Sequence, residues 1–319
     1  PPPPVPEAAV APATAGFAVG VPRIATSRIR DVEVADRLLA EGVADAVGMT
    51  RALIADPDFP RKARDGQPHE ILRCIGCNAC IAHYHAGTGL ACAINPRTGR
   101  ERLLPPVEHA STCHRLVVVG GGPAGIAAAT EAGLAGHRVV LLEREARLGG
   151  QVALAGMARA GEELARVFLD NAERQLASAG VEVRLGARDD PSELDPDAVV
   201  LATGARPYRD ACLRLEGVEL LDAWDVLAGD IPNGEQVLVA DWGGDPSGLD
   251  AAEVLAGAGK RVTLAAASVA VGELVHQYRR NLYLQRLYRA GVSILQHHEL
   301  DSAAGGVVRL RNVFAPELA

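Results

Sequence analysis

The feature that most constrains the fold is a glycine-rich turn between an apolar strand and an alanine-rich helix. Residues 116–119 (LVVV) are entirely apolar, as a buried parallel strand requires, and residues 120–125 (GGGPAG) lead directly into a helical pattern. A second strand, residues 138–142, ends at Glu143, eighteen positions beyond Gly125. In this context G-x-G-x-x-G predicts a Rossmann-like unit that binds a dinucleotide.

Each glycine of the motif has a predicted role. Gly120 permits the turn, Gly122 lets the backbone approach a pyrophosphate, and Gly125 lets the helix touch the strand. The helix N-terminus faces the phosphates, and the Glu143 carboxylate can accept hydrogen bonds from an adenosine ribose. A later apolar strand, residues 197–201, runs into a Thr-Gly turn at residues 203–204. That strand is expected to return beside the first one and to place its turn against the same nucleotide.

Four of the six cysteines lie within nineteen residues: Cys74, Cys77, Cys80 and, after eleven intervening residues, Cys92. A C-x2-C-x2-C run with a remote fourth cysteine predicts a [4Fe-4S] cluster. Two alternatives are a zinc site, which more often uses two separate cysteine pairs, and structural or disulfide-bonded cysteines. The adjacent nucleotide motif and the lack of a secretory signal favour the cluster. The remaining Cys113 and Cys212 are expected to be free, buried and reduced.

Composition limits the partners. The chain has 319 residues, 48% of them hydrophobic and only 3% aromatic, which favours two or three closely packed α/β domains. A net charge of −8 without a long basic run argues against nucleic acid as the main partner. No apolar run has the length of a membrane span, so we expect a cytoplasmic protein without a membrane partner.

The N-terminal region combines a proline-rich stretch with one strand–helix–strand pattern. Residues 1–12 hold six prolines and are expected to form an extended arm or linker. Strands at residues 23–28 and 46–51 flank a helix at residues 32–39, which predicts a parallel β/α unit. Arg28 and Arg51 follow small residues at the strand ends, where an α/β barrel usually holds a phosphate. The alternative is that these arginines solvate loop ends.

A second Rossmann-like unit begins near Gln236, but its glycine loop has lost the residues that bind a dinucleotide. Asp245 stands where the pyrophosphate-facing glycine is expected, and Asp241 adds a second carboxylate. The next strand ends in three alanines, so it offers no acid for a ribose and no arginine for a 2′-phosphate. This unit is predicted to keep its shape without binding NAD(P)H. A helix at residues 274–290 and strands at 292–295 and 307–313 complete the pattern.

In this order, the segments resemble the C-terminal part of the NADH:flavin oxidoreductase family, which includes trimethylamine dehydrogenase and 2,4-dienoyl-CoA reductase and has an old-yellow-enzyme-type barrel. The resemblance extends from about Pro22 to the end of the chain. It is highly specific in combination and is carried by residues 48–57 (GMTRALIADP), residues 74–78 (CIGCN), Cys92 with residues 95–96 and 99–101, the 120–125 loop and residues 202–204 (ATG).

The resemblance implies three cofactor sites. Cys74, Cys77, Cys80 and Cys92 would ligate the [4Fe-4S] cluster, and Arg28, Gly48 and Arg51 would hold an FMN phosphate on the barrel rim. The residues implied at an FAD or ADP site are Gly120, Gly122, Pro123, Ala124, Gly125, Glu143, Arg144, Gly150, Gln151, Thr203 and Gly204.

The implied fold class is α/β: the last two β/α units of an incomplete TIM-type barrel, an iron–sulfur loop segment and two Rossmann-like units. The expected domains are a proline-rich arm (1–21), the end of the flavin barrel (22–72), the [4Fe-4S] segment (73–112), an incomplete FAD/ADP-binding domain (113–208) and a second Rossmann-like domain (209–319). Two β/α units cannot close an eight-stranded barrel. We therefore expect either a fragment of a longer enzyme or a partner chain that supplies the rest.

The implied function is that of an electron-transferring oxidoreductase module in a larger chain or oligomer. Electrons would pass between barrel FMN, the cluster and the nucleotide domain or an external carrier such as an electron-transfer flavoprotein, with a methylated amine as one substrate class. The degraded second glycine loop resembles the trimethylamine dehydrogenase branch. The alternatives are a non-catalytic electron-transfer subunit and an NAD(P)H-dependent enoate or dienoyl-CoA reductase fragment with FAD. No catalytic acid or base can be named, because that part of the barrel is absent from this sequence.

Overall fold

The computed structural model describes residues 7–17, 20–188, 190–208 and 214–317. Two compact units are present, one made of Pro1–Ala153 with Glu163–Gly204 and the other of Leu154–Glu162 with Ala205–Ala319. Within the described ranges, no helix combines the length and the apolar character that crossing a bilayer would require.

The first unit begins with one small β/α layer. Its elements are α1 Ala11–Ala15, β1 Ile24–Ala25, α2 Val32–Ala40, β2 Ala46–Val47, α3 Arg51–Ala55, α4 Phe59–Arg64, a 3-10 turn Pro68–Glu70 and α5 Ala79–His85. Strands β1 and β2 pair in parallel, with Ile24 opposite Ala46. Helix α2 starts where the Asp31 carboxylate accepts the Glu33 N–H. The predicted strand–helix–strand unit is confirmed, whereas its membership of a barrel stays a prediction.

The proline-rich arm differs from the extended segment that was predicted. Its first six residues lie outside the described residues, but Ala11–Ala15 forms the short helix α1 with Pro12 in the first turn. Proline is tolerated there because the first N–H groups of a helix have no intrahelical partner. Ala8 and Ala11 are buried against Ala25 and Ile29, so this part of the arm belongs to the core of the first unit.

The first unit also contains a four-stranded parallel sheet in the order β5-β4-β3-β6. Its strands and helices are β3 Arg115–Val119, α6 Pro123–Leu134, β4 Arg138–Glu143, α7 Gln151–Ala155, α8 Glu162–Ser178, β5 Glu182–Leu185, a 3-10 turn Pro191–Leu194 and β6 Ala198–Leu201. Val119 pairs with Leu201, which confirms that the later strand returns beside the first. Val118 and Leu141 are fully buried under the helices. This arrangement is a Rossmann-like layer.

The second unit has a three-stranded parallel sheet, β10-β9-β8, and a smaller sheet, β12-β11-β7. Its elements are β7 Arg214–Leu215, α9 Ala223–Ala228, β8 Gln236–Asp241, α10 Pro246–Gly257, β9 Arg261–Ala266, α11 Gln277–Arg289, β10 Ser293–Gln296, β11 His298–Ala304 and β12 Val307–Asn312. Leu249, Leu264 and Leu287 are completely buried at its centre. The second Rossmann-like pattern is thereby confirmed as a fold.

Strand β11 was not predicted. Its sequence, HELDSAA, is too polar for a buried strand, yet it pairs antiparallel with β12 across Gly305 and Gly306. Both glycines have positive φ values, of 58° and 78°. A Gly-Gly pair before an alternating segment is typical of a hairpin, so this signal was present in the sequence.

Candidate functional site

The glycine-rich turn has the geometry that a dinucleotide cradle needs. Gly120 has φ +109°, and a Cβ there would lie 2.3 Å from the Ala202 carbonyl oxygen. At Gly125 a Cβ would lie 1.8 Å from the Gly120 carbonyl oxygen, so only glycine lets α6 approach β3 this closely. At Gly122, by contrast, no atom lies within 4 Å of the Cβ position. Open space therefore faces the N-terminus of α6, where Pro123 and Ala124 form the first turn.

The Glu143 carboxylate is fixed beside this turn. It is only 7% exposed, and its two oxygens accept the Gly121 N–H at 2.7 Å and the Glu145 N–H at 2.8 Å. A carboxylate can accept about four hydrogen bonds, so capacity for a ribose hydroxyl remains. Arg144 is placed differently, because its largely exposed side chain pairs with Glu145 at 3.2 Å.

Several other predicted residues converge on the cradle. The Cβ position of Gly150 lies 3.2 Å from the Gly122 Cα, and that of Gly204 lies 3.8 Å from the Gln151 side-chain nitrogen. Gly204 has φ +79°, and the Cα of Thr203 lies 3.3 Å from the Cβ position of Gly120. The carboxyl-terminal edge of the parallel sheet thus gathers the glycine loop, the Gly150 turn and the Thr-Gly turn.

The four clustered cysteines also come together. All are free; Cys80 is buried and Cys74, Cys77 and Cys92 are partly buried. Burial raises the pKa of Cys77 to about 11, and the proximity of the other three thiols adds to the increase. Burial also raises the pKa values of Cys80 and Cys92, with a further contribution from Cys74 in each case. The remote fourth cysteine therefore lies within electrostatic reach of the other three.

The cysteine set can also be compared with a site for a single ion. In the described part of the chain, no three His, Cys, Asp or Glu side chains are grouped closely enough to hold one metal ion. A tetrahedral zinc ion with Zn–S distances of about 2.3 Å would bring its sulfurs to roughly 3.8 Å from each other. The described residues therefore show no grouping of the zinc type, and all four cysteines are free of disulfides.

The two other cysteines fall outside this set. Cys113 is free but exposed, so the prediction that it is buried was wrong. It immediately precedes strand β3, where the chain is still at the surface. Cys212 lies outside the described residues.

A cavity of about 460 Å³ joins the strand ends to the cysteine loop. It is lined by residues 26–30 and 48–52, which follow β1 and β2, together with Cys74 and Gly76. Gly48 and Arg51 both lie on this wall, and their predicted role at an FMN phosphate stays a prediction. Arg28 is only 8% exposed, so the alternative that it solvates a loop end is wrong.

Sequence reasoning missed the ionic network behind this wall. Arg28 and Arg30 both donate to Glu163 on α8, Arg28 at 2.5 Å, and Arg30 also donates to the Cys74 carbonyl oxygen at 2.7 Å. Burial alone would raise the pKa of Glu163, but the hydrogen bonds and charges of the two arginines hold it below its ordinary value. No sequence signal links Arg28 to a carboxylate 135 positions away.

We expect Glu163→Gln to destabilise the first unit by about 2–3 kcal/mol at pH 7, because two buried arginines lose their shared anion. The folded-state pKa of Glu163 is depressed. The stability that ionised Glu163 contributes is therefore fully present above the pKa of this group in the unfolded state, and it is lost as the pH falls through the pKa in the folded state. Urea unfolding at pH 7 and at pH 4 checks this, and the difference between variant and wild type should shrink in acid. Glu162→Gln, at an exposed neighbour, is the matched control.

In the second unit, the degraded loop keeps the backbone of a nucleotide cradle but carries an aspartate, Asp245, at the helix N-terminus. Asp245, with φ −92° and ψ −175°, repeats the backbone of Gly122, with φ −79° and ψ −178°. Its side chain caps α10 by accepting the Ser247 N–H at 2.7 Å. Asp241 is 6% exposed, and burial raises its pKa despite hydrogen bonds from the backbone N–H groups of Gly244 and Gly272. At the position that directly precedes the helix, the first unit therefore has glycine (Gly122) and the second unit has aspartate (Asp245).

Residues 114–313, more than half of the chain, match the family profile described as pyridine nucleotide-disulphide oxidoreductase. An NADH oxidase from Thermoanaerobacter brockii is 41% identical over 256 residues, which are 77% of this chain and 39% of the relative. An N,N-dimethylglycine/sarcosine dehydrogenase from Chromohalobacter salexigens is 35% identical over 305 residues, 87% of this chain and 44% of the relative.

A solved structure is similar over almost the whole chain. Histamine dehydrogenase from Rhizobium sp. 4-9 matches with a TM-score of 0.89 at 26% identity, over 97% of this chain and 48% of that one. The chain therefore spans less than half the length of each of these three relatives.

Proposed function

Because the chain belongs to the pyridine nucleotide-disulphide oxidoreductase family, we propose that it is the electron-transfer part of a flavin-dependent enzyme of the NADH:flavin oxidoreductase type. The observation that carries this proposal is the shared cavity, in which the ends of two parallel strands meet the cysteine loop. An electron carrier at the cysteines would lie next to a flavin whose phosphate is held at the strand ends. Such proximity is what a protein contributes to one-electron transfer.

The residues fit an adenine nucleotide at the first Rossmann-like layer. Because Gly122 has no side chain and open space faces it, a pyrophosphate has room there, and the N–H groups at the start of α6 would donate to it. Glu143, already oriented by Gly121, would accept from the ribose. Both FAD and ADP present these groups, so the cradle suits either of them.

The residues also fit an iron–sulfur cluster at Cys74, Cys77, Cys80 and Cys92. A [4Fe-4S] cluster takes one thiolate on each of four iron atoms, which suits four free thiols that lie within electrostatic reach of one another. When bound, it supplies one-electron storage. With a pKa of about 11, the Cys77 thiol is protonated at neutral pH before binding, so assembly must release protons.

The residues that follow the two strands also fit the phosphate of an FMN, but Arg51 and Arg28 would not contribute equally to holding it. Gly48 and Arg51 lie on the cavity wall, and the wall follows two parallel strands, which is the usual position of a phosphate in such folds. Arg28 shares the wall, but its charge is paired with the Glu163 carboxylate, whereas a terminal nitrogen of Arg51 donates to the neutral amide of Asn78. We therefore assign the main phosphate contact to Arg51 and a supporting positive charge to Arg28.

The electron donor is proposed to be a methylated or otherwise substituted amine. The names of two relatives, N,N-dimethylglycine/sarcosine dehydrogenase and histamine dehydrogenase, describe the oxidation of amines. The carboxylate of Asp245 fills the position at which NAD(P)H would need a glycine. Electrons would then leave to an external carrier such as an electron-transfer flavoprotein. The cytoplasm and an oligomeric assembly are the proposed setting.

A second candidate function is oxidation of NADH, favoured by 41% identity to an NADH oxidase. The two functions separate on Asp245. We expect NADH to reduce the bound flavin slowly or not at all in the wild type. Asp245→Gly should bind NADH at least tenfold more tightly, a change of about 1.4 kcal/mol, because an anion facing the pyrophosphate is removed.

Titration with NADH, followed by the absorbance of the bound flavin, measures the affinity for NADH and the reduction of the flavin in the wild type and in Asp245→Gly. Asp245→Asn is the matched control, since it keeps a capping side chain for Ser247 while removing the charge, and it should fall between the two. Rapid bleaching in the wild type would favour the NADH-oxidising function instead.

The proposed function is tested by identifying the nucleotides that copurify with the protein. Mass spectrometry after denaturation is expected to give an adenine nucleotide, FAD or ADP, with FMN wherever the barrel is complete. FAD together with rapid reduction by NADH would support the second candidate. Absence of any adenine nucleotide would contradict the assignment of the glycine cradle.

A further inference from the structure

A buried asparagine in the cysteine loop has half of its hydrogen-bonding capacity unused. Asn78 follows Cys77 directly, and its side chain is among the most completely buried, at 2% exposure. Its backbone is left-handed, with φ +64° and ψ 15°, a conformation that asparagine tolerates better than most residues. Its backbone carbonyl oxygen accepts the Ala82 N–H at 2.9 Å at the start of α5. The backbone of Asn78 is thus fixed at the junction of the loop and the helix.

The orientation of this amide is fixed by chemistry. The side-chain oxygen accepts a hydrogen bond from an Arg51 terminal nitrogen at 2.6 Å. A guanidinium group only donates, so the oxygen must face Arg51 and the NH2 group must face away from it. That Nδ2 atom is buried and has no acceptor among the described residues. Buried donors are nearly always satisfied in native proteins, so a group absent from this polypeptide is its expected acceptor.

We propose that Nδ2 of Asn78 donates a hydrogen bond to sulfur of the [4Fe-4S] cluster and thereby raises its reduction potential, an inference that rests on the proposed function. The residue lies inside the C-x2-C-x2-C run, next to Cys77 and two positions before Cys80. A sulfur of the reduced cluster carries more negative charge than one of the oxidised cluster. A donor aimed at it therefore stabilises the reduced form more, and hydrogen bonds to sulfur are a known determinant of potential.

Arg51 strengthens this donor from the other side. Its guanidinium polarises the amide through the bond to the oxygen, and hydrogen bonds in such chains reinforce one another. The cavity at the strand ends is lined by Arg51 and not by Asn78. Arg51 also lies within electrostatic reach of Cys80, whose pKa its charge lowers, so the bonded pair Arg51–Asn78 adjoins both the cavity and the cysteines. In this arrangement Asn78 is a tuning residue, whereas the four cysteines are the ligands.

Two variants of the cofactor-loaded protein test the role. Asn78→Gly keeps the left-handed backbone and removes the whole amide. Asn78→Asp keeps the shape and the acceptor for Arg51 but has no NH2 group. Both are expected to retain four irons per chain and to lose about tenfold in the one-electron reduction equilibrium constant, which is about 59 mV. Redox titration followed by electron paramagnetic resonance measures the potential, and Asn78→Asp should shift it at least as far as Asn78→Gly.

Asn171→Ala is the matched control. Asn171 also lies in the first unit and is 3% exposed, but both ends of its side-chain amide have partners. Its oxygen accepts the Arg73 backbone N–H at 3.1 Å, and its NH2 group donates to the Arg73 carbonyl oxygen at 2.8 Å. It should lower stability and leave the potential unchanged.

Four outcomes decide the inference. An unchanged potential in both Asn78 variants with full iron content would overturn it. A shift in Asn78→Gly without one in Asn78→Asp would also overturn it, since only the link to Arg51 would then matter. Loss of iron from both variants would overturn it by giving Asn78 a role in assembly alone. A wild-type protein without iron would instead contradict the proposed function itself.

Discussion

Replacing Cys77 with alanine is expected to abolish the iron–sulfur cluster. Cys77 is the central cysteine of the run, and each of the other three thiols contributes to raising its pKa, which places it inside the set. Without it one iron atom would lose its protein ligand, in a site that burial has already made unfavourable for charge. We expect the iron content to fall at least tenfold in protein purified without oxygen. Iron assay and the visible absorbance spectrum measure the loss.

Cys113→Ala is the matched control for that substitution. Cys113 is also free, but it is exposed and makes no contribution to the raised pKa of Cys77. This variant should keep its iron and its colour. Equal iron contents in the Cys77 and Cys113 variants would show that the clustered cysteines do not hold the metal centre.

Gly125→Ala is expected to have the second large effect, on the stability of the first unit and on nucleotide binding together. The new Cβ would lie 1.8 Å from the Gly120 carbonyl oxygen and 3.4 Å from the Ala202 Cβ. The nearer atom belongs to the backbone of the glycine turn, so α6 would have to move away from β3. We expect a loss of about 3 kcal/mol or more in the free energy of unfolding. Urea unfolding and equilibrium binding of ADP measure the two effects.

Gly122→Ala separates binding from folding. No atom lies within 4 Å of its Cβ position, and its φ of −79° suits alanine. Its stability should therefore match that of the wild type, whereas its affinity for ADP should fall at least tenfold because the methyl group obstructs the pyrophosphate. Unimpaired ADP binding by Gly122→Ala would contradict the position assigned to the nucleotide.

Features encoded by neighbouring residues could be predicted from the sequence. The parallel strands β3, β4 and β6 and the roles of Gly120 and Gly125 follow from an apolar run, a turn and a helix that are consecutive in the chain. The convergence of the four cysteines was also predicted, since two residues separate each of the first three from the next and Cys92 completes the motif eleven residues later. Local pattern and spacing were sufficient in each case.

Features that depend on distant contacts could not be predicted. The bonds of Arg28 and Arg30 to Glu163 connect segments more than 130 positions apart, and the short helix Ala11–Ala15 depends on packing against Ala25. The polar segment His298–Ala304 forms a strand because it pairs with β12, since its own residues do not favour a strand. Asn78 was visible in the motif, but only the fold reveals that its amide is buried and half used.

The most direct test of the account is the quantity of iron and acid-labile sulfide in protein purified under strictly anaerobic conditions. A C-x2-C-x2-C run whose three thiols converge with that of Cys92 predicts four iron atoms and four sulfides per chain, with no stoichiometric zinc. One zinc ion per chain and no sulfide would contradict the central claim that these cysteines hold an electron-carrying cluster.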